Sequence, residues 1–221
     1  MSERPRLAVF DCDGTLVDGQ ADVMWAMERA FDLARQPAPD PFAVRRLVGL
    51  SLPIAIRRLA PDLGQDEHRA ITEFYKTSFR TRREEGLLHE PLYDGIAALL
   101  VQLHESGWQL AVATGKSDRG LAACLAGHGI ADLFVSLQTA DRHPSKPHPA
   151  MLEAALFEAG VAPGDAVMIG DTTFDMEMAR AAQVRAIGVA WGYHAPEELH
   201  EAGAACVMES VAALAEELET R

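Results

Sequence analysis

Short apolar runs punctuate this chain, and stretches of helical periodicity separate them. The runs are Leu7-Ala8-Val9-Phe10, Trp108-Gln109-Leu110-Ala111-Val112-Ala113, Leu133-Phe134-Val135-Ser136, Ala166-Val167-Met168-Ile169, Ala186-Ile187-Gly188-Val189-Ala190 and Ala205-Cys206-Val207-Met208. Most are apolar throughout, as strands covered on both faces must be. From residue 94 onward, helical segments lie between them. Asp94 is placed to cap a helix carrying Ile96, Leu99, Leu100 and Leu103 on one face. Further helices are expected over 117–126, 149–159 and from Asp171 to about residue 182, with Gly107, Gly127, Gly129 and Gly160 as stops. Strand followed by helix, repeated, predicts an α/β fold with a mostly parallel sheet. Such sheets place ligands beyond the carboxyl ends of their strands.

Residues 17–88 break this alternation. Met24, Met27, Phe31 and Ala34 recur at helical spacing, and Pro37, Pro39 and Pro41 end that helix. Three more helical stretches are expected over 41–48, 53–59 and 65–83, and no strand. Charge separates the same segment. Residues 17–88 hold 11 basic and 11 acidic side chains, whereas the remainder holds 9 and 22. Two structural units are therefore expected.

The 221 residues suffice for one core with a modest insertion, and the net charge of -13 disfavours nucleic acid and anionic membranes as partners. No apolar run reaches membrane-spanning length, and Met1-Ser2-Glu3-Arg4-Pro5 lacks a signal-peptide core. The scattered, odd set Cys12, Cys124 and Cys206 provides no disulfide framework. A reducing cytoplasm is the expected location. Nothing in the sequence specifies an oligomeric state.

The polar residues after the strands carry the chemistry. Asp11 and Asp13 end the first strand; alternation sends them to the same side, where like charges require a proton or a cation. Thr114-Gly115-Lys116 follows the second strand and presents a hydroxyl and small-residue backbone to an anion. Lys146 sits in the proline-rich stretch His143-Pro144-Ser145-Lys146-Pro147-His148-Pro149, one of only three lysines with Lys76 and Lys116. Gly170-Asp171-Thr172-Thr173-Phe174-Asp175 supplies two more acids. Ordinary alternatives exist: Asp-Gly is a turn signal, Thr114 and Asp171 are competent helix caps, and Asp175 and Lys146 suit a solvated surface. His143 and His148 lack the neighbouring ligands of a metal pair, and His104, His128 and His194 read as surface or loop histidines. Together the acids suit a hard cation such as Mg²⁺, and Lys146 with Thr114 suits a phosphate.

Asp11-Cys12-Asp13-Gly14-Thr15, Thr114, Lys146 and Gly170-Asp171-Thr172-Thr173-Phe174-Asp175 resemble, in order, the four motifs of the haloacid dehalogenase-like hydrolases. The insertion resembles the α-helical cap of one subfamily. Ala113-Thr114-Gly115-Lys116-Ser117 and Ser145-Lys146-Pro147-His148-Pro149 are similar to the phosphoglycolate phosphatase-like branch. The resemblance implies a Rossmann-like core domain of residues 1–16 and 89–221 and a small α-helical cap domain of residues 17–88. It implies a Mg²⁺-dependent phosphatase of a small phosphorylated metabolite, phosphoglycolate-like or a sugar phosphate, acting through an aspartyl-phosphate. Asp11 is then the nucleophile and Asp13 the acid/base. Thr114, Gly115 and Lys146 hold the phosphoryl group, with backbone N–H groups near Cys12 and Gly115. Asp11, the Asp13 carbonyl and Asp171 hold the metal, supported by Asp175. A phosphomutase of the β-phosphoglucomutase type is the alternative on the same core. Dehalogenation leaves Asp13 without a task, and Schiff-base phosphonate cleavage lacks an early cap lysine. A silent binding module is disfavoured because every expected polar residue is present. Arg45, Gly49, Lys76 and Arg80 are the cap candidates for substrate contact, with Arg46 and the 48–51 loop beside them.

Overall fold

The computed structural model describes residues 6–220; the first five residues, read above for the lack of an apolar core, lie outside it. Six strands form one parallel sheet in the order β3-β2-β1-β4-β5-β6. They are β1 (Arg6–Phe10), β2 (Trp108–Thr114), β3 (Phe134–Thr139), β4 (Ala166–Gly170), β5 (Arg185–Val189) and β6 (Cys206–Met208). Alternation explains the unbroken apolar runs. Leu7 and Val9 enter the core on one face of the sheet, while Ala8, Phe10 and Cys12 enter the core on the other. The chain is thus an α/β protein with a Rossmann-like sheet covered on both sides.

Four helices precede β2 within the inserted segment: α1 (Gln20–Leu33), α2 (Pro41–Arg45), α3 (Leu52–Leu59) and α4 (Gln65–Glu84). None of the six strands falls in it. Its apolar faces meet in their own cluster, with Val23, Met27, Ala30 and Phe31 from α1, Val44 from α2, Ile56 from α3 and Ile71 from α4. Met24 and Ala34 only border that cluster. The two linkers joining the segment to the sheet run side by side. Val17 bridges Leu92 in antiparallel fashion, Asp18 N–H donates to Pro91 O at 2.8 Å, and Tyr93 N–H to Leu16 O at 3.0 Å.

The remaining helices are α5 (Ile96–Glu105), α6 (Asp118–Gly127), α7 (Ala150–Ala159), α8 (Thr173–Ala181), α9 (Pro196–Ala202) and α10 (Val211–Glu219). The expected face of α5 is buried throughout. Its cap differs from expectation: Asp94 makes no capping bond, and Gly95 begins the helix at φ +88°. Helix α2 stops at Arg45, short of residue 48, because single-turn bonds such as Leu47 N–H to Val44 O replace the helical ladder. No disulfide forms among the described residues, and no helix there is long and apolar enough to cross a membrane.

Candidate active site

Strand order reverses around β1, because the chain goes from β1 to β2 on one side and later to β4 on the other. That reversal opens a crevice beyond the strand ends. Asp11 enters it as the ladder finishes, its N–H donating to Ile169 O at 2.9 Å. The chain then turns sharply, and the N–H groups of Thr15, Leu16 and Val17 all converge on Cys12 O. Gly14 makes the turn at φ +83°, and a Cβ there would lie 2.2 Å from Asp171 Oδ2. Only glycine lets the β1 and β4 loops approach this closely.

Lys146 is the centre of charge. It is 2% exposed, which excludes the surface-loop reading, and its Nζ lies 2.9 Å from Asp11 Oδ1 and 2.6 Å from Asp175 Oδ1. Asp11 Oδ1 also accepts the Cys12 N–H at 2.6 Å, whereas Asp11 Oδ2 is buried with no hydrogen-bond partner among the described residues. Thr172, not Asp171, caps α8. Its N–H and hydroxyl both donate to Asp175 Oδ2, at 3.1 and 2.6 Å, and the Asp175 N–H donates to Thr172 O at 3.1 Å. Asp175 is therefore fully buried rather than a surface helix residue. Asp171 accepts the Thr15 hydroxyl at 2.7 Å and the Tyr193 N–H at 2.9 Å.

One ammonium thus pairs with two buried carboxylates, and a third, Asp171, lies beside them. Burial, against the opposing pull of Lys146, pushes Asp11 up to about 7. Burial, then repulsion from Asp11 and Asp175, lifts Asp171 well above the carboxylate range. Lys146 stays charged, its acids outweighing burial. Oxygens of Asp11, Asp171 and Asp175 all lie within 4.8 Å of one another. An excess of carboxylates with an unpartnered buried oxygen fits a hard divalent cation. The Asp13 side chain is not part of this cluster.

Asp13 takes a different lysine. Its Oδ1 lies 2.9 Å from Lys116 Nζ, an ion pair without hydrogen-bond geometry. Burial, opposed by Lys116, raises its pKa. Thr114 is buried and accepts the Lys116 N–H at 3.2 Å; the cap of α6 is Ser117. Asp13, Gly115 and Lys116 form one wall of a cavity of about 470 Å³. The opposite wall comes from the helical segment and includes Gly49, Lys76, Arg80 and Arg83. The two walls touch behind it: a Cβ on Gly115 would lie 2.6 Å from Leu50 O and 2.7 Å from Gly49 O.

Two of the residues singled out from the sequence bond across the boundary between the helical segment and the loop after β5. Arg45 does not line the cavity; its guanidinium donates to Gly192 O at 2.9 Å and Tyr193 O at 3.3 Å, fastening α2 to the loop after β5. His194 lies in the loop between β5 and α9, as expected of a loop histidine, but is buried there. It is 3% exposed and accepts the Thr173 N–H on Nδ1 at 3.1 Å, which leaves its Nε2 proton facing Arg46 O at 3.2 Å. His143 and His148 bond Gln138 and the Ala150 N–H and stand apart from the carboxylates. Sequence reasoning also missed Glu90, Tyr193 and the pairing of Lys116, because each acts through a contact between segments distant in the chain.

The sequence matches the haloacid dehalogenase-like hydrolase family over residues 8–189. It is 35% identical over 202 residues to the protein named probable phosphatase IndB of Dickeya dadantii, covering 89% of this chain and 86% of that one. It is 33% identical over 216 residues to a phosphoglycolate phosphatase of Pseudomonas fluorescens, covering 95% and 78%. A crystal structure of a hydrolase from Pseudomonas syringae superposes with a TM-score of 0.86 at 22% identity over 97% of this chain and 98% of that one. With its motif residues assembled at the switch point of a parallel sheet, this chain belongs to the haloacid dehalogenase-like hydrolases.

Proposed function

We propose that this hydrolase is a Mg²⁺-dependent phosphatase of a small phosphorylated metabolite and works through an aspartyl-phosphate on Asp11. The observation that carries this reading is the division of labour between two neighbouring acids. Asp11 is immobilised by Lys146 and the Cys12 N–H with one oxygen unpartnered, while Asp13 opens on the cavity beside Lys116. A pinned carboxylate suits a nucleophile, and one that faces the cavity with a raised pKa suits proton transfer. The relatives named as phosphatases support the same class.

Asp11, Asp171 and the Asp13 carbonyl would hold Mg²⁺, with Asp175 fixing Lys146 alongside. When bound, the ion offsets the charge of a phosphoryl group among these carboxylates. Asp11 attacks phosphorus and the bond to the leaving oxygen breaks. Asp13 gives that oxygen its proton. Asp13 then takes a proton from water, which attacks phosphorus, releases inorganic phosphate and restores Asp11. Lys146 and Thr114 hold the phosphoryl oxygens. Residues 17–88 act as the cap domain over a core of residues 1–16 and 89–221, and Lys76 and Arg80 are its candidates for the organic part of the substrate.

The test uses an aryl phosphate and purified protein. Phosphate release should require Mg²⁺, vanish in Asp11→Asn and Asp171→Ala, and leave acid-quenched label that peptide fragmentation places on Asp11 rather than Asp13. Asp13→Asn should slow turnover by about 10²–10⁴-fold. Full turnover in excess chelator, or label on Asp13, would overturn the reading.

A further inference from the structure

Glu90 belongs to none of the motifs, yet its carboxylate is buried in the linker between α4 and the sheet. All of its acceptors are engaged. Oε1 accepts from Lys116 Nζ at 2.6 Å, Oε2 accepts from Arg83 at 3.2 Å, and the backbone carbonyl accepts from the His128 ring at 2.8 Å. Lys116 then reaches Asp13 at 2.9 Å. A continuous series, Arg83 to Glu90 to Lys116 to Asp13, therefore runs from the last turn of α4 through the linker to the second acid of the crevice. The other linker presses on the same point. A Cβ on Gly19 would lie 3.4 Å from both Asp13 Oδ1 and Glu90 Oε1. Two buried carboxylates on one ammonium are an expensive way to join two linkers, because each charge has been stripped of water.

We propose that Glu90 is a positioning residue that couples the seating of the helical segment to the placement of the Asp13 carboxyl group. This rests on the acid/base role assigned to Asp13 above. An ammonium has three donors, and here two acids compete for them. With Glu90 present, Lys116 is held between them, and Asp13 keeps a single contact from which it can swing toward a leaving oxygen. Without Glu90, Lys116 closes on Asp13 alone and holds its carboxyl group out of line. Arg83 transmits the position of α4. When the segment is seated, Arg83 takes part of the Glu90 charge and Lys116 anchors Asp13; when it lifts, Glu90 keeps Lys116 and Asp13 loses its anchor.

The test compares Glu90→Gln, Lys116→Met and the double variant on an alkyl phosphate and on an aryl phosphate with an acidic leaving phenol, following phosphate release with Mg²⁺. Glu90→Gln should lower kcat on the alkyl phosphate by about 10–100-fold, within the range of general acid–base effects, while KM stays near wild type. Pre-steady-state phenol release from the aryl phosphate should change far less, because that leaving group needs little protonation. The double variant should be no worse than Lys116→Met, since one residue acts through the other. Arg83→Gln, at a partly solvated side chain, should show the same leaving-group pattern at smaller size, and it carries the test if Glu90→Gln does not fold. Equal losses on both substrates, additive losses in the double variant, or no loss at all would overturn the proposal. Absence of wild-type turnover on both substrates would instead refute the phosphatase reading, and this proposal with it.

Discussion

Replacing Lys146 with methionine tests the electrostatics of the crevice without opening a large cavity, since the two side chains are similar in length. The lysine is fully buried and holds Asp11 and Asp175 at 2.9 and 2.6 Å. Methionine leaves those acids and Asp171 with no compensating charge. Removing one partner of a buried ion pair costs about 3–5 kcal/mol. For a chain of this length each kcal/mol moves Tm by about 2–4 °C, so metal-free protein should melt about 6–20 °C lower. The sign with pH follows from the direction of the shifts. Burial lifts Asp11 to about 7 from an ordinary 3.8, so the folded protein binds protons there that the unfolded chain has released. Stability of this origin is present at acid pH and lost as pH rises through the folded value. Loss of Lys146 raises the acids further, so the gap between variant and wild type should widen from about pH 5 to pH 8. Calorimetry in chelator measures both effects, and Mg²⁺ should restore part of the loss by binding only the folded state. A variant that melts within about 2 °C of wild type at pH 8 would refute the argument, because the acids would then be relieved by something other than Lys146.

Two further substitutions probe the contact between the helical segment and the sheet. Burial and the Arg46 charge push His194 below its ordinary 6.5, so the unfolded chain takes up a proton that the folded protein refuses. Stability should fall as pH drops below that value, and His194→Gln should flatten the decline; parallel Tm–pH curves for the two proteins would count against it. Gly115→Ala places a methyl group 2.6 Å from Leu50 O. Because misplacement by about 1 Å can cost 10²-fold, kcat/KM should drop by at least about tenfold; the clash is with backbone, so Tm should fall too, and wild-type values of both would show that the 49–50 loop need not sit where it does.

The parallel sheet, the helical insertion and the four strand-end motifs were legible because each rests on local pattern: apolar runs at strand length, helical spacing of Met27 and Phe31, and polar residues placed just after Phe10, Ala113 and Ile169. Those signals are properties of neighbouring residues, and neighbours in the chain stay neighbours in space. The partners of the charges were not legible. Nothing in the order of residues says that Lys116 serves Asp13 and Glu90 while Lys146 serves Asp11 and Asp175, since both lysines follow strands and both stand near prolines or glycines. The same limit hid Arg45 and His194, whose side chains join the helical segment and the loop after β5 through contacts separated by 147 to 148 residues of chain. Local free energy chooses strand, turn and helix, whereas the pairing of buried charges is chosen by which groups lose their water together, and only the packed tertiary structure decides that.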